Sequence, residues 1–292
     1  MIKPIKKSIK SVIALSAVAV LGLAGCAESN SEPLVIGSQA YYSNEIVAEV
    51  YAQVLEDAGY SVDRQFALGQ RDVYVPALLA GEIDIFPEYT GNLLQYFDPE
   101  ATATAEEDVY QALQGALPAG LTALALSGAS DQDSYNVTSD FAMKNNLTSI
   151  GDLAGVSGIR LGGAPELAER PYGPTGLLSS YGVTVEFEAT GDTTVESLVA
   201  GLIDMANVYS ADPRIQQLGL VTLTDPQGLF LSSNLVPIAS DAVNQEARDL
   251  ISAVSSAMTA ADLVALNVRS VDEQLSSAVI ARDWLLSKGL ID

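Results

Sequence analysis

Two tyrosines occupy equivalent places in a repeated stretch of this chain, and their rings are the side chains whose spacing carries chemistry. In residues 77–92, ALLAGEIDIFPEYTGN, Tyr89 stands eight positions after Gly81; in residues 197–210, SLVAGLIDMANVYS, Tyr209 stands eight after Gly201. Each copy reads as a last helical turn, a glycine stop, a buried strand and a tyrosine at the strand's carboxyl end. Ligands of open α/β sheets gather outside the carboxyl ends of the strands, so two such units would line one shared crevice with phenol rings. The nearby acids Asp84, Glu88, Asp204 and Asp212 would complement a positive ligand. Asp84 and Asp204 fall at the same point of both copies and are expected instead to satisfy helix N-termini or turns.

The elements that must position these rings alternate between strand and helix. A strand at 34–37 leads into a helix at 43–58, with Ile46, Val47, Val50, Tyr51, Val54 and Leu55 at helical spacing and Gly59 as its stop. A strand at 62–68, a helix at 72–80 and the repeat's strand complete a βαβαβ unit, which implies parallel pairing. A helix at 106–117 and a strand at 121–126 extend it. The small, polar stretch 127–140 reads as a crossing into a second lobe. That lobe holds strands at 159–162, 183–189 and 220–224, helices at 175–181 and 193–200, and the second repeat. A second crossing is expected at 229–236. Three amphipathic helices then return to the first lobe, at 242–258, 260–268 and 271–287, with Asp241, Thr259 and Ser270 as N-caps. The expected architecture is therefore α/β and two-lobed, with mainly parallel sheets flanked by helices: lobe one at 34–130 and 232–292, lobe two at 131–231.

Composition narrows the function classes. The 292 residues are 48% hydrophobic, enough for a substantial core and for two domains. Net charge is -23; without Lys3, Lys6, Lys7 and Lys10 the balance is 10 basic against 37 acidic residues, or -27. Such a surface repels phosphate backbones, so nucleic acid is not an expected partner. Those four lysines precede an apolar run at 12–24, too short to span a bilayer but suited to a signal-peptide core. The run ends in Leu23, Ala24, Gly25 and Cys26, which resembles a bacterial lipoprotein processing box. The expectation is a signal peptide at 1–25, a lipidated Cys26 tethering the chain to the outer face of the cell membrane, and a flexible leash at 26–33. Cys26 is the chain's single cysteine, so no internal disulfide is possible.

Residues 81–92, GEIDIFPEYTGN, resemble the GEIDxYPEYTGT signature of substrate-binding proteins of ABC importers for glycine betaine, choline and related quaternary ammonium compounds. Further matches follow in order: GlySerGln at 37–39, Tyr135, GluArgProTyrGly at 169–173, TyrSerAlaAsp at 209–212 and a helical tail. The resemblance covers nearly all of the chain after residue 33. It implies a type II periplasmic-binding-protein fold that closes over its ligand by hinge motion, an ABC permease as partner, and a small cationic or zwitterionic solute such as choline, carnitine or a betaine. A monomer is expected, because receptors of this fold open and close alone.

A trimethylammonium head is positive but has no N–H to donate, so ring faces suit it; each desolvated face contributes about 0.5 to 2 kcal/mol. The resemblance assigns the rings to Tyr89, Tyr135 and Tyr209, with Tyr41, Tyr42 and Tyr172 as further candidates. It assigns a ligand carboxylate to Arg170, whose guanidinium can grip it with two bonds. Three positions depart from the family pattern: Gln39 in place of a lysine, Asn92 in place of a threonine and Ser233 in place of a further tyrosine. Those changes leave open a wider pocket for another polar solute, such as ergothioneine or an amino-acid derivative, held by the Gln39 and Asn92 amides. Asp212 is the remaining candidate contact.

No enzyme is expected. The chain has no histidine, its one thiol is the expected lipidation site, and it carries neither a phosphate-binding glycine loop nor a nucleophile elbow. Trp284 reads as core. Without histidine or a free cysteine, only an oxygen-ligand metal site is conceivable; no calcium-loop spacing occurs, and no cofactor is expected.

Overall fold

Short apolar strands and amphipathic helices assemble into two five-stranded sheets in the computed structural model, which describes Met1 and residues 32–292. The expected signal peptide, Cys26 and most of the leash lie outside the described residues. Among the described residues no helix is long and apolar enough to cross a membrane.

The chain runs through β1 (Leu34–Gly37), α1 (Tyr42–Asp57), β2 (Val62–Gln65), α2 (Arg71–Leu79), β3 (Ile85–Tyr89), α3 (Thr90–Phe97), α4 (Glu106–Ala116) and β4 (Leu121–Ala123). It then passes to β5 (Asp133–Val137), α5 (Ser139–Asn145), β6 (Ile159–Gly163), α6 (Pro174–Tyr181), β7 (Val185–Ala189), α7 (Thr194–Val199), β8 (Met205–Tyr209), α8 (Arg214–Gln217) and β9 (Val221–Thr222). Finally it returns through β10 (Leu235–Ser240), α9 (Gln245–Ala257), α10 (Ala260–Val271) and α11 (Ser277–Lys288). Sheet orders are β2-β1-β3-β10-β4 and β7-β6-β8-β5-β9. In each sheet the strand that has just crossed from the other lobe runs against its neighbours: β10 against β3 and β4, β5 against β8 and β9. The two crossing segments themselves pair, through a Ser130–Asn234 bridge, so the lobes share a two-stranded hinge.

Apolar clusters cover both faces of each sheet. Helix α1 is buried almost all round, since the sheet lies on one side and α9, α10 and α11 cover the rest. Trp284 belongs to that cluster.

The repeat has a structural reason. Gly81 and Gly201 adopt φ of +72° and +71°, the left-handed conformation that ends a helix cheaply only at glycine. Three residues later Asp84 accepts the Val35 N–H at 2.9 Å and returns its own N–H to the Val35 carbonyl at 2.8 Å. Asp204 does the same with Arg160, at 3.0 and 2.9 Å. Each aspartate thus ties the entry of the repeat's strand to the neighbouring parallel strand.

Several boundaries differ from expectation. The residues after Tyr89 form α3, and the stretch read as a polar crossing contains β5 and the start of α5. Polar β5 residues are paid for internally: Ser134 Oγ donates to the Val208 carbonyl at 2.6 Å, and Asn136 bonds Ser134 and Thr222. Thr259 caps α10 with Asp262 in a capping box, as expected. Asp241 and Ser270 do not cap; Asn244 and Ser276 accept the N–H groups of Ala247 and Val279 instead, because α9 and α11 begin later.

Candidate ligand-binding cleft

The carboxyl end of β3 delivers Tyr89, the carboxyl end of β8 delivers Tyr209, and the segment joining β1 to α1 carries Tyr41. Tyr41 stacks on Tyr209 with ring centroids 5.7 Å apart and planes 22° apart. Tyr89 is buried, and its hydroxyl makes no hydrogen bond among the described residues. Tyr209 is 38% exposed, with Tyr41 stacked on its ring. Burial raises the pKa of Tyr41, Tyr42, Tyr89 and Tyr209, and the negative charge of Asp131 adds to the rise in all four. Four phenols and one carboxylate therefore share one neighbourhood.

Asp131 lies on the hinge. Its N–H donates to the Ser233 carbonyl on the opposite crossing segment at 3.1 Å, and its Oδ1 accepts the N–H of Ala211 at 2.8 Å. Burial, with help from Asp133 and Asp212 and against the Ala211 N–H, pushes its pKa up to about 7. Asp133, two residues on, accepts a hydrogen bond at 2.9 Å from Asn92 Nδ2. The same amide nitrogen donates to the Tyr172 hydroxyl at 3.0 Å, while Asn92 Oδ1 accepts from Ser233 Oγ at 2.7 Å. Asn92 thereby reaches from α3 across to β5 and to Tyr172, beside a cavity of about 10 Å³, the size of one water. The larger hollows, about 440 Å³ between α1 and α11 and about 500 Å³ beside α7 and α8, are open surface grooves away from these rings.

Tyr135, expected as a ring of the site, belongs to the second lobe's apolar cluster. It is fully buried in the second lobe, its ring against Phe230, and its hydroxyl donates to the Tyr172 carbonyl at 2.5 Å. That bond holds the backbone at Tyr172. Asp212 is likewise committed elsewhere, to the guanidinium of Arg214 at 2.6 Å. Gln39 is 4% exposed at the carboxyl end of β1; its N–H donates to Asn44 and its amide makes no bond among the described residues. Arg170 is half-buried, and its guanidinium makes no hydrogen bond or ion pair among the described residues; its charge acts on Tyr74 and Tyr172.

Sequence reasoning missed Asp131, Asp133 and Arg71. Arg71 pairs with the fully buried Glu88 at 2.7 Å, with the Tyr74 hydroxyl on the same carboxylate, and its charge lowers the pKa of Tyr172 and Tyr209 against the larger effect of burial. The spacing of Asp131, Asp133 and Tyr135 in an extended segment was the available signal, since alternate residues share a face.

The family model for the substrate-binding domain of ABC-type glycine betaine transport systems matches residues 32–287. The chain belongs to this family. It is 27% identical to the glycine betaine-binding protein YehZ of Escherichia coli (strain K12) over 279 residues, 89% of this chain and 92% of that one. It is 23% identical to the ergothioneine transport permease/ergothioneine binding protein EgtU of Helicobacter pylori (strain G27), over 89% of this chain but only 48% of EgtU. A solved glycine betaine/carnitine/choline ABC transporter structure superposes with a TM-score of 0.73 at 22% identity, covering 89% of this chain and all of the other. That likeness fixes the fold as the two-lobed architecture expected from sequence.

Proposed function

We propose that the chain captures a quaternary ammonium solute of the betaine, choline or carnitine type between its lobes and delivers it to an ABC permease. The observation that carries this reading is the grouping of Tyr41, Tyr89 and Tyr209 around Asp131 at the hinge. Ring faces and a carboxylate together suit a cation that cannot donate a hydrogen bond. Tyr172 and Tyr209 feel the negative charge of Asp133 and the positive charge of Arg71. A ligand with a methylated head toward the acids and a polar tail toward Arg71, Arg170 and Asn92 would match that polarity. Tyr41 against Tyr209 closes the seam, so capture requires the lobes to part and re-close. The reading further includes a monomer with lobes at 34–130 plus 232–292 and 131–231, anchored through Cys26 to the outer face of the cell membrane, and acting by binding, with no catalysis.

A thermal-shift series with glycine betaine, choline, carnitine and ergothioneine tests it. A ligand at 100 times its Kd adds about 2.7 kcal/mol of stability. Stabilisation by at least one of the first three supports the reading; stabilisation by ergothioneine alone keeps the quaternary ammonium head but replaces the betaine, choline or carnitine type with the histidine-derived solute.

A further inference from the structure

We propose that Asp131 is the anionic partner of the ligand's cationic head, and that it makes capture depend on the ligand's positive charge. The proposal rests on the solute-binding reading above and adds a specificity determinant to it.

Geometry supports it first. Asp131 stands on the hinge itself, bonded through its backbone to Ser233 and through Oδ1 to Ala211, in the loop that follows Tyr209. Among the described residues its second oxygen receives no hydrogen bond, although the residue is only 3% exposed. The titratable groups that face it are Asp133 and Asp212 of the second lobe, Tyr209 at the end of β8, Tyr41 and Tyr42 at the start of α1, and Tyr89 at the end of β3. None of these is basic. Arg214, whose charge reaches Tyr42, is bound to Asp212. Asp133 has only the uncharged amide of Asn92, Arg71 is engaged with Glu88, and Arg170 acts on Tyr74 and Tyr172.

A second observation points to the same place. The Tyr89 hydroxyl, 3% exposed and close enough for Asp131 to raise its pKa, has the Tyr41 and Ser43 hydroxyls as its polar neighbours but makes no well-aligned hydrogen bond among the described residues. The second oxygen of Asp131 and the Tyr89 hydroxyl lie among tyrosine rings, and no basic side chain is bonded to either among the described residues. A buried charge without a partner is costly. A quaternary ammonium supplies charge without an N–H, and so fits beside ring faces and an acceptor already using one oxygen on the backbone. Since burial holds the Asp131 carboxyl protonated up to about pH 7, capture of a cation near neutrality expels its proton.

Calorimetric titration with choline and with dimethylbutanol, its uncharged carbon isostere, tests the proposal on the whole protein and on Asp131→Asn, Asp133→Asn and Asp212→Asn. The expected result is choline binding that tightens from about pH 6 to about pH 8 with proton release, and at least about tenfold weaker choline binding in Asp131→Asn at about pH 8. Dimethylbutanol affinity should change little in that variant, because asparagine still accepts the Ala211 N–H and keeps the shape. Asp212→Asn should leave the pH dependence in place. Choline binding by Asp131→Asn with wild-type affinity and pH dependence overturns the proposal while leaving the solute-binding reading intact. Absence of binding by choline, glycine betaine and carnitine alike to the unaltered protein overturns both. The wild-type pH series and the isostere comparison do not depend on any variant folding.

Discussion

Tyr41 of the first lobe lies flat against Tyr209 of the second, 5.7 Å between ring centroids. This ring contact is made across the seam, by the faces that a methylated ammonium would seek. On the proposed reading, ligand entry would exchange ring–ring for cation–ring contact. Truncating Tyr209 to alanine is expected to weaken choline or betaine binding by about 0.5 to 2 kcal/mol, roughly 2- to 30-fold. Tyr209 is partly exposed, so the melting temperature should move little. Tyr41→Ala should have a similar effect, and the double variant should lose less than the sum, since the two rings share one contact. Unchanged affinity in Tyr209→Ala, measured by calorimetry, would remove this ring from the site.

Asn92 donates to Asp133 and Tyr172 from one nitrogen and accepts from Ser233 at its oxygen. Aspartate there keeps the shape, loses both donated bonds and sets a carboxylate against Asp133. Opposed like charges cost several kcal/mol, so Asn92→Asp should bind ligand at least about tenfold more weakly at neutral pH. Adding Asp133→Asn should restore most of the loss by returning a donor to the pair. Failure of that rescue in a binding titration would mean that Asn92 acts on the ligand directly and not through the interlobe bonds.

Asp84 and Asp204 bear on stability. Asp84 holds the Val35 N–H and the Ser240 hydroxyl; Asp204 holds the Arg160 N–H and its guanidinium. Asp84 is the more buried, and alanine there leaves a buried donor without its acceptor. Asp84→Ala should destabilise by about 1 to 3 kcal/mol. Its ligand Kd, compared at a temperature where both proteins are folded, should stay within about twofold. Asp204→Ala should cost less, because its partner is part-exposed.

How much of this was legible in the chain follows from what each residue does. The glycine stops, the buried strands and the tyrosines at their ends are local signals, each set by backbone conformation and burial within a dozen residues, and the sequence displays them directly. The long apolar helices were legible for the same reason. Helix α9 and α11 boundaries slipped because Asp241 and Ser270 are as good by composition as Asn244 and Ser276, and only tertiary packing chooses where the turn starts. The burial of Tyr135 and its bond to the Tyr172 carbonyl were not legible, because a tyrosine on a strand flanked on both sides can point its hydroxyl at a backbone carbonyl as well as at a ligand. Asp131 was missed because its meaning comes from three distant segments, at Tyr41, Tyr89 and Tyr209, that meet only when the hinge strands pair.

The buried pair of Arg71 and Glu88 gives a further test of energetics within the cleft wall. Glu88 is fully buried and accepts from Arg71, Tyr74 and its own neighbour's N–H at Tyr89. Neutralising one partner strands the other charge, so Glu88→Gln should destabilise by about 3 to 5 kcal/mol, whereas Arg71→Met with Glu88→Leu should recover much of that. Ligand affinity should nevertheless fall in the double variant, because Arg71 also acts on Tyr172 and Tyr209. Recovery of stability together with full affinity in denaturation and binding titrations would confine Arg71 to a structural role.

Asp131 makes stability itself depend on pH, with a sign opposite to that of a salt-bridged carboxylate. Its folded pKa, about 7, lies above the ordinary aspartate value of about 3.9. Between those values the folded chain keeps a proton that the unfolded chain has released. Stability is therefore highest below about pH 4 as far as this group is concerned, falls as pH rises through the window, and carries the full cost above about pH 7, at most about 4 kcal/mol. Asparagine at 131 cannot ionise. The difference in unfolding free energy between Asp131→Asn and the unaltered protein should grow in favour of the variant from about pH 4 to about pH 7, then level off. Chemical denaturation at four or five pH values measures that difference with the other carboxylates cancelling. A flat difference would mean that Asp131 is ionised in the folded chain well below neutrality, and that its charge is met by a group other than a ligand.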